Sequence, residues 1–467
     1  MRFLIAAAAA VCLAHGSAAQ TTPAPSPIPA EVQRTLETLR ARAMASDDAY
    51  ALTESLTTEV GPRLAGSAAE ARARDWAVAQ LRARRFENIR IEPFAIPYWR
   101  ATRQEAAVVA PSQQPLRIVA LGGSAATPEG GLEAEVARFA SLAALRDAAP
   151  SSVAGRIVFV DEGMTATMDG SGYGAAVPRR SACPRLAREK GAAACVIRSV
   201  GTDGHRFPHQ GTTADFAAGT RVPAAALSNP DADQLARLIA RGPVRMRLDI
   251  AIEREAAAQS GNVIAEIRGR SAPEEIVLLA AHLDSWEEGT GAIDDAAGVG
   301  VIIATADLIR QLPRRPRRTI RLLIAGAEET GVFGGAEYAR AHAEELPWHV
   351  LALESDFGAG RIWRFRSRFG AGAGGHHAAM AQALNAAEVM VSDTQPAFGG
   401  ADIAAARAAG VPVIDLGQDG LDYFDYHHTA DDTLDKVDPA NLRQNVAAWA
   451  IAVYLAAEMD WDFRAAE

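Results

Sequence analysis

Ile276-Val-Leu-Leu-Ala280 runs through Ala281 into His282-Leu-Asp-Ser-Trp-Glu-Glu-Gly-Thr-Gly-Ala-Ile-Asp294, followed by Asp295, and this stretch decides the fold. Its first five residues are all apolar, the pattern of a strand buried on both faces of a parallel sheet. The strand ends in His-x-Asp and opens into a glycine-bearing loop that closes on a carboxylate pair. Polar ligands are thereby delivered to the carboxyl edge of a sheet, where open α/β sheets bind their ligands.

Strand and helix alternate outward from it: strand 276–281, helix 297–311, strand 319–325, helix 334–345, strand 349–353, helix 375–386, strand 411–415, helix 438–457, with a strand at 262–267 before them. That order predicts a doubly wound α/β sheet. Upstream, 31–45 and 47–58 have helical periodicity. Ser67 is placed to cap a further helix with Trp76, Ala79, Leu81 and Phe86 on its apolar face, and 89–96 alternates as a strand. Composition shifts near Arg103. From there to about Ala251 the chain reads as short strands (156–160, 194–198, 222–227) with helices at 186–191 and from about Pro230, an inserted β-rich domain of ordinary size. The expected division is 31–105 with 256–467 for the main domain and 106–255 for the insert.

The chain has 467 residues, 49% apolar and 22% charged, with 47 Lys plus Arg against 57 Asp plus Glu and a net charge of −10. That balance argues against nucleic acid and anionic membrane as partners. Arg2, the apolar run Phe3 to Leu13 and Ser17-Ala18-Ala19 read as a signal peptide over 1–19, too short to span a bilayer. A lipoprotein reading of Cys12 is weakened by Val11. Residues 20–30 are a Pro-rich linker. The expectation is an exported protein, secreted or periplasmic. Cys183 and Cys195 are left either as a disulfide or as two buried thiols.

Four polar clusters follow the strand ends: His282/Asp284/Asp294, Glu328-Glu329, Asp356, and His427-His428. Zn²⁺ takes imidazole nitrogen and carboxylate oxygen and keeps a position for water. Two ions about 3.5–4 Å apart need a shared carboxylate and further ligands each. Asp294 is placed to bridge, His282 and Asp356 to complete one ion, Glu329 and His428 the other. A bridging water becomes hydroxide near neutral pH, with Glu328 as its general base. Asp284 is placed to hold the second nitrogen of His282.

His-Leu-Asp-Ser-Trp, Gly-Ala-Ile-Asp-Asp, Ala-Glu-Glu-Thr-Gly, Glu-Ser-Asp and His-His-Thr-Ala-Asp-Asp-Thr together resemble the M28 family of co-catalytic zinc peptidases, in its carboxypeptidase Q branch. Gly61-Pro-Arg-Leu-Ala-Gly-Ser67 matches that family's N-terminal signature. The insert resembles a protease-associated domain, with Ile197-Arg-Ser-Val200 and Pro208-His-Gln-Gly211 like that branch's own insert. The resemblance covers about residues 45–460. It implies two Zn²⁺ per chain on His282, Asp294, Glu329, Asp356 and His428, with Glu328 as base and a frequently cis Asp294–Asp295 bond. His428 is preferred over His427 because the pattern His-Thr-x-x-Asp-Thr starts there.

The remaining polar residues carry weaker signals. Asp284 also reads as a plain helix cap, and Trp286 as packing or site wall. Asp402 sits near substrate by resemblance or caps a helix. Tyr423 and Tyr426 either line the pocket or pack, Tyr426 being the substrate candidate. His205 and His209 read as surface groups, and His376-His377 as solvent-facing. The expected function is hydrolysis of short peptides, dipeptides with free termini foremost. The rivals are an aminopeptidase of the same family, a single-zinc glutaminyl cyclase-like acyltransferase, and a receptor-like binding protein. A homodimer is left open.

Overall fold

The computed structural model describes residues 23–393 and 395–466. The expected signal segment lies outside the described residues. In chain order the strands are β1 (Glu87–Ala110), β2 (Gln114–Leu116), β3 (Ile118–Ala120), β4 (Leu132–Phe139), β5 (Ile157–Val160), β6 (Ala194–Arg198), β7 (Ala224–Leu227), β8 (Arg245–Ile267), β9 (Ala272–His282), β10 (Arg318–Ala325), β11 (His349–Glu354), β12 (Ile362–Arg368), β13 (Val391–Ser392) and β14 (Val413–Gln418). They join into one 14-stranded mixed sheet, ordered β13-β12-β14-β11-β9-β10-β8-β4-β5-β6-β7-β3, with β1 and β2 branching from β8.

β14, β11, β9 and β10 are mutually parallel and form the centre. β9 shows why both faces had to be apolar. Val277, Leu279 and Ala281 pack into a core shared with helices 297–310 and 439–458. Leu278 and Ala280 point the other way, onto Tyr338, Ile403, Ala406 and Val413. The period of two in a strand sends alternate residues to opposite layers.

β1 and β8 are 24 and 23 residues long and pair antiparallel from Glu87↔Glu266 to Ala110↔Arg245. They cross the expected boundaries at 105/106 and 255/256 without a break. The pairing shifts register between Ile96 and Tyr98, where Pro97 has no amide to donate.

Residues 106–255 are richer in helix than the β-rich reading. The helix expected at 186–191 spans Ser171–Glu189 despite Pro178 and Pro184. Proline normally ends a helix by removing a donor and crowding the previous turn. Here Ala176, Arg179, Arg180, Cys183, Pro184 and Ala187 are all buried, so packing overrides the local signal. A disulfide joins Cys183 of this helix to Cys195 of β6.

Ser67 caps helix 68–83 as expected, accepting from the Glu70 amide at 3.2 Å. Ala79 is exposed, however, and the buried face is Ala73, Trp76, Ala77, Val78 and Leu81. His376 and His377 are half-buried rather than solvent-facing. His376 stacks on Trp461 and bonds Ser26, and His377 stacks on Phe365. The Pro-rich segment from residue 23 therefore lies against the domain, with the Ser26 amide donating to Gly375 O at 2.8 Å.

Candidate metal centre

The carboxyl ends of β9, β10 and β11 bring their polar clusters to one place, and the 427–428 loop closes over them. His282 Nε2 lies 3.0 Å from Asp294 Oδ1 and 3.3 Å from Asp356 Oδ1. His428 Nε2 lies 2.9 Å from Glu329 Oε2 and 3.2 Å from Asp294 Oδ2. His427 Nε2 is 3.4 Å from the same Asp294 oxygen. Asp294 thus stands between two groups of ligand atoms, its peptide to Asp295 cis.

Each histidine is fixed from behind. His282 Nδ1 donates to the Asp284 carbonyl at 3.0 Å, and His428 Nδ1 to the Gln210 carbonyl at 3.2 Å. A carbonyl only accepts, so Nδ1 holds the hydrogen in each neutral ring. Both Nε2 atoms then present lone pairs to carboxylate oxygens. Acceptors facing acceptors repel unless a cation lies between them, and Asp294 Oδ2 is buried with no hydrogen-bond donor. Burial, then the charge of Asp294, pushes Glu329 up to about 7. Burial pushes Glu328 well above the ordinary carboxylate range as well. The donor set fits divalent metal, and these residues form groups of ligand atoms within 4.8 Å of one another.

Buried hydrogen bonds hold the loops that carry the ligands. Arg63, from the 61–67 signature, donates to the carbonyls of Leu283, Thr290 (2.6 Å) and Gly291 (2.9 Å). Asp432 accepts from the Ala292 and Ile293 amides at 2.7 and 2.8 Å, setting the approach to Asp294. Asp295 accepts from the His282 and Gly298 amides. Asp284 acts differently from expectation. Its carboxylate accepts from the Glu328 and Glu329 amides at 3.0 and 3.2 Å, while its distance to His282 Nδ1 is 3.7 Å. The main chain of Asp284 holds the imidazole, and its side chain aims the Glu328-Glu329 pair.

A cavity of about 280 Å³ opens over the cluster, lined by Asp294, Glu328, Glu329, Asp356, His427 and His428. Phe357, Tyr423 and Phe424 add an aromatic lining, and Tyr173, Arg180 and Thr212 complete it, with Tyr173 stacked on Phe424 and edge-on to His427. Hollows elsewhere reach about 420 Å³, including one between 25–28 and helix 30–44, but the ligand clusters do not line them. Tyr426 is not in the lining: its ring faces Lys436, whose Nζ is 5.4 Å from the centroid. Asp402 lies behind Ala401, 1% exposed, and accepts from the Gly335 amide at 3.0 Å. It neither faces the cavity nor caps the helix that follows it. Trp286 packs edge-on against His428 and belongs to a buried apolar cluster, the packing reading.

His209 is also placed differently from its surface reading. It is buried, with Nδ1 donating to the His427 carbonyl at 2.7 Å and Nε2 2.7 Å from Asp203 Oδ1. Gly201 leaves room for its ring, where a Cβ would collide. The Gln210 amide donates to the His428 carbonyl at 3.0 Å. His205 stays at the surface.

The model of peptidase family M28 matches residues 262–453. Carboxypeptidase Q of Bos taurus is 31% identical over 432 residues, 92% of this chain and 89% of the relative. The chain belongs to peptidase family M28. As a zinc metallopeptidase of that family it is also similar to carboxypeptidase Q of Mus musculus, at 32% identity over 407 residues covering 87% and 84% of the two chains. The crystal structure of a peptidase M28 precursor from Shewanella amazonensis SB2B is 44% identical, with a TM-score of 0.90 over 94% of this chain and 99% of that one. A zinc aminopeptidase from Bacillus subtilis shares the fold, with a TM-score of 0.64 at 21% identity over 89% and 97%. No helix among the described residues is long and apolar enough to cross a membrane.

Proposed function

We propose that this M28 peptidase is an exported di-zinc exopeptidase that hydrolyses short peptides, dipeptides with free termini foremost. The observation that carries the reading is the position of Asp294, whose two oxygens face His282 Nε2 and His428 Nε2 from opposite sides. In this reading His282 and Asp356 hold one ion, Glu329 and His428 the other, and Asp294 both. Reach favours His428 over His427, since His428 alone contacts both Glu329 and Asp294. Bound zinc would polarise the scissile carbonyl and acidify the attacking water.

The chain's own groups do the rest. Glu328 lines the cavity with its amide anchored on Asp284, takes the proton from the water, and delivers it to the departing amine. Residues 106–255 form the inserted unit that supplies Tyr173, Arg180 and Thr212 to the lining. A cavity near the lower end of the ~300–1,000 Å³ range of small-molecule sites suits a short substrate better than a long chain.

A hydrolysis panel on zinc-loaded protein, with and without chelator, tests the reading. It compares free dipeptides, N-acetylated dipeptides, C-amidated dipeptides and aminoacyl-anilides. Chelator-sensitive cleavage with free dipeptides strongly preferred over the blocked compounds is expected. Cleavage of anilides and amides at rates comparable to free dipeptides would make the chain an aminopeptidase, and no cleavage with zinc bound would leave a binding protein.

A further inference from the structure

Four carboxylates line the cavity over the metal centre, those of Asp294, Glu328, Glu329 and Asp356. Arg180, from helix 171–189, is the one lysine or arginine lining it among the described residues. Its side chain is buried, with the residue 6% exposed. A buried guanidinium is normally paired with a carboxylate, because an unpaired buried charge is strongly disfavoured. Arg180 instead meets neutral acceptors. Nη2 donates to the Tyr173 hydroxyl at 2.8 Å, and Nη1 to the Gln210 carbonyl at 3.3 Å. Nε is buried without a partner. The chain makes specific room for this group: Gly211, at φ +135°, lies against the guanidinium, where any Cβ would collide with it.

We infer that Arg180 binds the free C-terminal carboxylate of the substrate and so sets the enzyme's preference for peptides with an unblocked C-terminus. The inference rests on the peptidase reading above and adds to it the group that selects the substrate. A guanidinium presents planar, paired donors that match a carboxylate, and it stays charged at every working pH. A substrate carboxylate would supply the missing counter-charge within the cavity. The groups then divide the work: the carboxylates and histidines handle the scissile amide, and Arg180, beside Tyr173 and the Gln210 carbonyl, reads the terminus. A purely structural role for Arg180, bracing Tyr173 and residue 210, predicts something different: its loss would harm every substrate alike.

The test uses the full mature chain, zinc-loaded, with alanyl-leucine and alanyl-leucinamide. The wild type is expected to prefer the acid. Arg180→Met is expected to lower kcat/KM for the acid by roughly 10²-fold, chiefly through KM, and to leave the amide nearly unchanged. Arg180→Gln keeps polar atoms near Tyr173 and residue 210 and serves if the methionine variant does not fold. Arg180→Lys should keep part of the preference. Zinc content and melting temperature should match the wild type in each variant used. Calorimetric titration with free leucine against leucinamide reads carboxylate binding without turnover, and the acid's advantage should vanish in Arg180→Met. Equal losses on acid and amide, or an acid preference that survives Arg180→Gln, would overturn the role of Arg180 with the peptidase intact. A zinc-loaded wild type that cleaves neither compound would overturn the peptidase reading itself, and the inference with it.

Discussion

At the scale of single residues, the site separates groups that hold metal from a group left free to move a proton. Glu328 and Glu329 are adjacent, and Asp284 anchors both of their amides. Glu329 reaches His428, while Glu328 lines the cavity apart from the clustered ligand atoms. Glu328→Gln keeps the size and removes the base. It is expected to retain two zinc ions per chain by elemental analysis while kcat falls about 10²–10⁴-fold. Loss of metal from that variant, or a small change in kcat, would remove Glu328 from the role of base. A second residue-scale expectation lies away from the site, in His349 at the start of β11. Tyr338 OH lies 2.7 Å from His349 Nε2, and Nδ1 donates to the Glu345 carbonyl at 3.0 Å. Arg321 Nη1 donates to the same hydroxyl at 3.1 Å, so that hydroxyl gives its own hydrogen to Nε2. The chain of donors is complete only with a neutral ring, and burial pushes His349 down to about 4. In the unfolded chain the ring titrates near 6.5. Above that pH both states are neutral and nothing is lost. As pH falls from 6.5 towards 4 the unfolded state gains a proton that the folded state refuses, so stability drops by about 1.4 kcal/mol per pH unit. Denaturant unfolding at pH 7 and pH 5 should show a smaller acid loss for His349→Gln than for the wild type. Equal losses would mean that His349 is protonated in the folded protein.

At the scale of elements, what the sequence made legible and what it hid have different physical causes. β9, β10 and β11 could be read because a buried parallel strand must be continuously apolar, and their polar ends then stand out. The ligand clusters were legible for the same reason. Helix 171–189 was hidden because Gly172, Gly174, Pro178 and Pro184 all argue locally against a helix. β12 was hidden because Arg364, Arg366 and Arg368 interrupt it, although Arg366 is satisfied by Asp393 at 2.7 Å. His209 and Arg180 could not be placed at the site because the carbonyls they bond lie outside their own segments, although Asp203 and Tyr173 are close in sequence. His209 bonds a carbonyl 218 positions on. The 199–213 loop is thereby fastened to the 423–429 loop: Thr202 Oγ1 donates to Asp425 at 2.7 Å, and the main chains of Gln210 and His428 meet. His209→Ala removes the clamp on the His427 carbonyl without touching a ligand side chain. Zinc affinity, measured by competition with a chelator, is expected to weaken about 10–100-fold, the usual effect of losing support behind a ligand. Far-UV circular dichroism should be unchanged. Unaltered zinc affinity in a folded His209→Ala protein would make the clamp a packing feature alone.

At the scale of the whole molecule, the two regions of the chain share one sheet and one site. β1 and β8 run through both, and Tyr173, His209 and Gln210 meet His427 and His428 beside the cavity. Ligands drawn from positions 282, 294, 329, 356 and 428 mean that bound metal would cross-link four loops that are otherwise joined only by hydrogen bonds. Without metal, the carboxylates of Asp294, Glu329 and Asp356 converge on the imidazoles of His282 and His428 at 2.9–3.3 Å, three acidic groups against two imidazoles. Metal bound to the folded state alone stabilises it in proportion to ln(1 + [L]/Kd), about 2.7 kcal/mol for each ion held at a hundred times its Kd. Chelation of the wild type is therefore expected to lower the melting temperature by on the order of 5 °C, at constant scan rate. Asp294→Ala should melt at the chelated value, bind no zinc by elemental analysis and show no further response to chelator, because the shared ligand is gone. A wild-type melt indifferent to chelator would show that the metal does not tie the loops together. A chelator shift that persists in Asp294→Ala, with zinc bound, would instead place the bridge on another residue.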